Sequence, residues 1–238
     1  MSAPLFLVAA LPGSGDTVHL DGPEGHHAAT VQRLRVGEEL ILADGRGGLA
    51  TGRVVAVGKG TLDVRLESTT TVPAADPSLT VVQGIAKGER GELAVQAMTE
   101  AGVDAIVPWA AARSVARWRD ERPLERWRAT AREAAKQARR AWLPDVLAPE
   151  SSAAVARRCA AAALVLDEGA QVRLSTVELP AHGEIVVVVG PEGGVAPDEL
   201  ALFEAAGAVP VRLGPSVLRT STAGVAAIAA LSIRLGRW

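Results

Sequence analysis

The chain has a single cysteine, Cys159, so it has no internal disulfide framework, which fits a reducing cytoplasm. No apolar run comes near the roughly 20 residues needed to cross a bilayer. Leu5 to Leu11 is apolar, but no basic residue precedes it and glycines soon follow, so it reads as strand and not as a signal peptide. The four histidines, His19, His26, His27 and His182, have no metal-ligand spacing, and no metal is expected. Cys159 lies in an alanine-rich stretch and is expected to be buried and inert. No Gly-Lys-Ser/Thr sequence occurs, which leaves phosphoryl transfer without its usual anchor. Gly13-Ser14-Gly15-Asp16-Thr17-Val18 starts like a dinucleotide fingerprint but lacks its third glycine and its helix. Lysine is also scarce, with three against 22 arginines.

What is present is a chain of 238 residues, 48% hydrophobic, with a net charge of −2. That length allows one large domain or two modest ones. Residues 1–72 alternate short strand-like stretches with glycine turns such as Asp44-Gly45-Arg46-Gly47-Gly48 and Gly58-Lys59-Gly60, and read as a small antiparallel barrel. Thr69 to Pro77 reads as a linker. From residue 73 to 238 strands alternate with helices. Strands are expected at Leu79–Ile85, Ala105–Trp109, Ala163–Leu166, Ile185–Val189 and Val209–Leu213. Helices are expected at Glu89–Ala101, closed by Gly102, from Pro123 to about Trp142, at Ser152–Ala160, from Pro197, and at Ser216–Leu235. This alternation predicts an α/β domain of about 160 residues with a parallel sheet.

Two glycine loops carry the chemistry. Gly190-Pro191-Glu192-Gly193-Gly194 follows a run of strand formers, Glu184 to Val189. Leu213-Gly214-Pro215-Ser216-Val217-Leu218-Arg219-Thr220 follows the last strand, about twenty residues on. Parallel strands that end in glycine are where open α/β sheets seat ligands, because backbone amides can approach closely there. The pair reads as one cofactor gripped by backbone from both sides. Arg219-Thr220-Ser221-Thr222 opens the last helix, whose free amides favour an anionic group such as a carboxylate. A second constellation lies between Arg113 and Arg140, where ten basic residues face four acids, a net of +6. Trp109, Trp118, Trp127 and Trp142 lie in or beside it. Arginine with exposed aromatics suits single-stranded RNA, although individual tryptophans read more readily as core.

Both glycine loops, extended through Ala223, resemble the paired motifs of the RsmE family of SPOUT-class methyltransferases. Lys87-Gly88-Glu89-Arg90 with Glu100-Ala101-Gly102-Val103, the helix from Arg126-Trp127 to Gln137 with Arg140 and Pro144, and His27–Gly37 followed by Asp44-Gly45 extend the resemblance over nearly the whole chain. It departs from the family pattern at Lys136, at Ser216 and in the arginine-free first strand, Pro4-Leu5-Phe6-Leu7.

The resemblance implies an α/β fold with two parts. Residues 73–238 would be a SPOUT domain whose parallel sheet carries a deep trefoil knot, and residues 1–72 a PUA-like β-barrel that binds RNA. It implies S-adenosylmethionine as cofactor, held by Gly190, Gly193, Gly194, Leu213, Gly214 and Leu218. It implies methylation of N3 of uridine 1498 in 16S ribosomal RNA, with the 30S particle as a partner, a homodimer and a cytoplasmic location. Arg219, Glu192 and Arg140 are the residues expected at the reaction: either arginine can stabilise a uracil oxygen anion, and Glu192 is a weaker choice as base. Arg33, Arg35, Gln137 and Arg140 are expected on RNA. Two other readings remain open: an RNA-binding assembly factor without catalysis, and a SPOUT enzyme with another target such as ribose 2′-O.

Overall fold

The structure is a computed structural model that describes residues 3–238. Its contacts divide the chain into two units.

The first unit is the described part of Met1–Ala74 together with Ala135–Leu143. Its strands are β1 (Leu5–Leu7), β2 (Thr17–Leu20), β3 (Glu39–Ala43), β4 (Gly48–Gly58) and β5 (Thr61–Thr71), ordered β1-β3-β4-β5-β2 among the described residues. Pairing is antiparallel except that β1 runs parallel to β3, so the sheet is mixed where alternation alone had suggested an all-antiparallel barrel. In β5, Leu62, Val64 and Leu66 are buried and Asp63 and Arg65 stay accessible, the two-residue period of a half-buried strand. They pack on Phe6, Leu40, Leu42 and Val54. β5 also takes in Thr69–Thr71, paired with Gly48–Ala50, so the linker starts later than composition suggested. A short helix α1 (Gly22–His26) continues as a π-helical turn, His27–Val31. The segment 135–143 joins this unit through Gly47 N–H to Ala141 O (3.0 Å), Leu143 N–H to Gly45 O (3.0 Å) and the packing of Leu143 on Leu5, Leu7 and Ala43. A single boundary at 72/73 therefore does not describe the chain.

The second unit, Ala75–Ala134 with Pro144–Trp238, contains the parallel sheet. Its strands are β6 (Ser78–Gly84), β7 (Ala105–Trp109), β8 (Asp145–Val146), β9 (Ala162–Leu166), β10 (Glu184–Val189) and β11 (Val209–Val211), ordered β11-β9-β10-β6-β7-β8 among the described residues. Every pairing in it is parallel. Helices cover both faces, which is why β10 can be isoleucine and valine throughout its buried length. Ile185, Val187 and Val189 point to one face and pack with α2 (Arg90–Glu100), α3 (Arg122–Gln137) and α6 (Thr220–Arg234). Val186 and Val188 point to the other and pack with Val155 of α4 (Ser152–Arg158) and Phe203 of α5 (Pro197–Ala205).

Two helix ends differ from the sequence pattern. α3 stops at Gln137 and not near Trp142, because Arg139 turns left-handed (φ 53°). The Arg140 amide then bonds Ala135 O (2.9 Å) and the Arg139 amide bonds Lys136 O (3.1 Å), a closing pair usually built on glycine. Gly102 (φ 99°) closes α2 in the same way, as its sequence suggested. α6 begins at Thr220 and not at Ser216: Arg219 is extended (φ −67°, ψ 152°), so Ser216–Arg219 remain loop.

Candidate active site

Adjacent strands β11, β9 and β10 all end on the same edge of the sheet. The three segments that leave them, from Arg212, Asp167 and Gly190, therefore meet. Between them is a cavity of about 770 Å³. Of the nine residues expected around the cofactor and the reacting base, all but Arg140 line it: Gly190, Glu192, Gly193, Gly194, Leu213, Gly214, Leu218 and Arg219.

The first glycine loop is tightly folded. Gly194 has φ 71° and its amide bonds Pro191 O at 2.9 Å. A Cβ on Gly190 would lie 3.0 Å from the Gly194 carbonyl carbon, and one on Gly84 only 2.5 Å from Pro191 N. These glycines are required by backbone meeting backbone. Gly214 differs. It has no left-handed φ, and a Cβ there would meet nothing within 4 Å. Neither strain nor packing requires glycine at 214, where a side chain would meet open space at the cavity's lining.

Neighbouring groups hold the loops in place. Thr220 Oγ1 donates to Gly190 O (2.7 Å) and accepts from Gln83 Nε2 (2.9 Å), both in buried surroundings. Arg113 Nη1 donates to Gly193 O (3.0 Å) and Val195 O (3.3 Å). Glu199 is buried and fixes the stretch before Arg113: its carboxylate accepts from Ala112 N–H (2.8 Å) and Ser152 Oγ (2.6 Å). Ser152 in turn accepts from Trp109 Nε1 (3.1 Å).

Glu192 is already engaged at the cavity: its carboxylate accepts from Lys87 N–H (3.0 Å) and Arg90 Nη1 (3.1 Å). Partial burial would raise this carboxyl, but hydrogen bonds from its own amide and that of Lys87, with Arg90, outweigh it and hold Glu192 below the usual glutamate range. Such a group is a poor proton acceptor at neutral pH and a good clasp. Arg219 also reaches the cavity, and its guanidinium has no hydrogen bond or ion pair among the described residues.

Arg140 is the exception. It and Gln137 belong to the segment packed with the first unit and do not line the cavity. Arg33 and Arg35 are exposed in the first unit, Arg33 with φ 57°. The arginine-rich segment is less open than its charge suggested. Arg122 pairs with Asp120 (2.6 Å), Arg126 with Glu92 (3.1 Å) and Arg128 with Glu125 (3.0 Å). Trp109 and Trp127 are core, and Trp142 donates to Val72 O (2.9 Å). Cys159 is buried and its thiol is pushed up to about 11 by desolvation.

Sequence reasoning missed Asp167, Glu168, Gly169, Arg90 and Arg113 on the cavity wall. The first three had an available signal: they leave the end of β9 just as the two glycine loops leave theirs. Arg113 had none, because its contact spans 80 positions.

The comparisons with known proteins agree with this geometry. The RNA methyltransferase domain family matches residues 74–232, and the RNA methyltransferase PUA domain family matches residues 20–67. The chain thus belongs to the RNA methyltransferase domain family and carries an RNA methyltransferase PUA domain. Ribosomal RNA small subunit methyltransferase E of Mycobacterium bovis is 48% identical over 247 residues, covering all of this chain and 94% of that protein. The Bacillus subtilis protein of the same name is 29% identical, covering 91% of this chain and 90% of that one. The crystal structure of the Neisseria gonorrhoeae protein of that name, bound to S-adenosyl methionine, superposes with a TM-score of 0.89 at 29% identity and covers 98% of both chains. The chain belongs to the ribosomal RNA small subunit methyltransferase E family.

Proposed function

We propose that this chain methylates N3 of a uridine in small-subunit ribosomal RNA, uridine 1498 by family resemblance, using S-adenosylmethionine. The observation that carries the reading is the cavity walled by Gly190, Gly193, Gly194, Leu213, Gly214 and Leu218. The open space at Gly214 fits a ligand pressed against backbone. When bound, the cofactor supplies a methyl group already activated on a sulfonium. The chain's own task is to bind, orient and shed a proton. Peptide groups of the two glycine loops grip the nucleoside portion without side-chain interference. Asp167 and Glu168 offer carboxylates on the same wall for hydroxyl or ammonium groups. Arg219, at the cavity and without a side-chain partner among the described residues, stabilises the uracil oxygen anion as N3 gives its proton to solvent water. Glu192, kept ionised by its amide and arginine partners, anchors the loop and is a weak base. Orientation then supplies most of the rate gain.

Arg33, Arg35, Gln137 and Arg140, which share the first unit, are assigned to RNA in the same proposal. So are the knotted C-terminus, the homodimer, the 30S particle as substrate and the cytoplasmic location. No helix among the described residues is long and apolar enough to cross a membrane.

Nucleoside mass spectrometry of small-subunit RNA from cells with and without the protein tests the reading. Loss of 3-methyluridine on deletion is expected. Loss of a 2′-O-methyl nucleoside instead, or no change, overturns it.

A further inference from the structure

A second cavity of about 320 Å³ opens in the same unit, lined by Ile85, Ala110, Trp118, Pro149 and the side chains of Arg117, Arg119 and Asp120. We infer that this cleft receives one unstacked base of the substrate RNA, next to the base that reacts, an inference that rests on the proposed function. Its volume lies at the small end of ligand pockets, too small for a whole cofactor and adequate for one flat base.

Its lining has the composition that single-stranded RNA selects. Trp118 is half-buried and stands edge-on to the core residue Trp127 (centroids 5.0 Å apart, 88°), so the indole is held firmly with part of its surface free to stack. Arg117 is tied by its Nη1 to Ala111 O (3.1 Å). Arg119 is exposed and makes no hydrogen bond or ion pair among the described residues, which leaves its guanidinium for a phosphate or a base edge. Asp120 is held ionised by its hydrogen bonds from Arg122 and presents an acceptor.

The position fits as well. Ile85 follows Gly84, the residue pressed against Pro191 of the first glycine loop. Ala110 to Asp120 is one continuous stretch, and its Arg113 bonds Gly193 and Val195 on the other cavity's wall. One segment thus serves both cavities at the carboxyl edge of the sheet, as a strand of RNA would need if one base entered each.

The test uses a fluorescein-labelled single-stranded fragment of small-subunit ribosomal RNA, its binding read by anisotropy, with methyl transfer to the same RNA measured in parallel. Trp118→Ala is expected to weaken RNA binding about tenfold, and Trp118→Phe to restore most of it. Arg119→Ala, at an exposed and unpaired position, is expected to weaken binding about fivefold and flatten its salt dependence by about one charge. Calorimetric affinity for S-adenosylmethionine should match wild type in each, which also verifies folding. Wild-type RNA affinity in Trp118→Ala and Arg119→Ala overturns the inference while methyl transfer stands. RNA binding that responds to both variants in a protein that transfers no methyl group supports the cleft and removes the proposed function instead. A change of oligomeric state by light scattering in Trp118→Ala, with RNA affinity kept in Arg119→Ala, marks the cleft as an interface between copies and overturns the inference.

Discussion

Thr220 Oγ1 donates a 2.7 Å hydrogen bond to the carbonyl of Gly190, joining the start of the last helix to the first glycine loop across 30 residues of sequence. Gln83, 0% exposed, backs the same hydroxyl from β6. The two loops are therefore held as one body before any ligand arrives. Preorganisation of that kind reduces the ordering cost of binding.

Thr220→Val keeps the shape and deletes both bonds, taking the hydroxyl from the Gly190 carbonyl and leaving the buried Gln83 Nε2 with Gly84 O alone. The expected cost is about 1–3 kcal/mol of stability, with cofactor affinity lower by about tenfold. Thr220→Ser should recover most of both. Thermal melts and calorimetric titration of the three proteins check this, and equal affinities in all three would mean that the loops hold their form without the threonine.

Gly214 and Gly193 separate binding from folding. A Cβ on Gly193 would stand 3.0 Å from Arg113 Cβ, whereas one on Gly214 meets nothing within 4 Å. Gly214→Val should leave the melting temperature within about 2 °C and reduce cofactor affinity by at least tenfold, since an exposed, unstrained substitution costs little stability. Gly193→Val should lower both. An unaffected affinity in Gly214→Val would mean that the ligand does not lie against that loop.

Glu192 gives a pH dependence with a definite sign. Its folded carboxyl titrates below its unfolded value, so its clasp on Lys87 and Arg90 is present above the ordinary glutamate range and is lost as pH falls through the lower folded value. Cofactor affinity of the wild type should therefore drop in acid more steeply than that of Glu192→Gln. Parallel acid profiles for the two would show that the clasp does not govern the loop.

In the first unit, Lys136 Nζ lies 3.2 Å from Glu24 Oε1, with side chains only 6% and 11% exposed. Glu24 Oε2 also accepts from Leu7 N–H at 3.3 Å. Lys136→Met takes the ammonium away from a buried carboxylate and should cost about 3–5 kcal/mol, and adding Glu24→Gln should return a substantial part of it. Urea denaturation of the single and double variants measures the coupling. Additive losses would show that the two charges do not depend on each other.

The parallel sheet could be read from the chain because β10 is a valine run, Pro197 starts a helix and Gly102 ends one, each a local signal. The glycine loops could be read because parallel strands place ligands at their carboxyl ends. What escaped depends on distant residues. α3 ends at Arg139, a left-handed residue with no glycine to announce it. β8 has two residues, too few for any period. The segment 135–143 follows a helix in sequence and yet pairs with Gly45 and Gly47. The bonds of Glu192 to Lys87 and Arg90 span more than 100 positions, which no local pattern announces. Arg140 belongs to a segment grouped with the first unit, which its place after a helix of the second unit does not announce.

The most direct measurement is a crystal structure of this protein grown with S-adenosylmethionine. The account predicts ligand density between Gly190–Gly194 and Leu213–Arg219, in contact with Gly214. Clear density elsewhere on the molecule, with both loops bare, would contradict it.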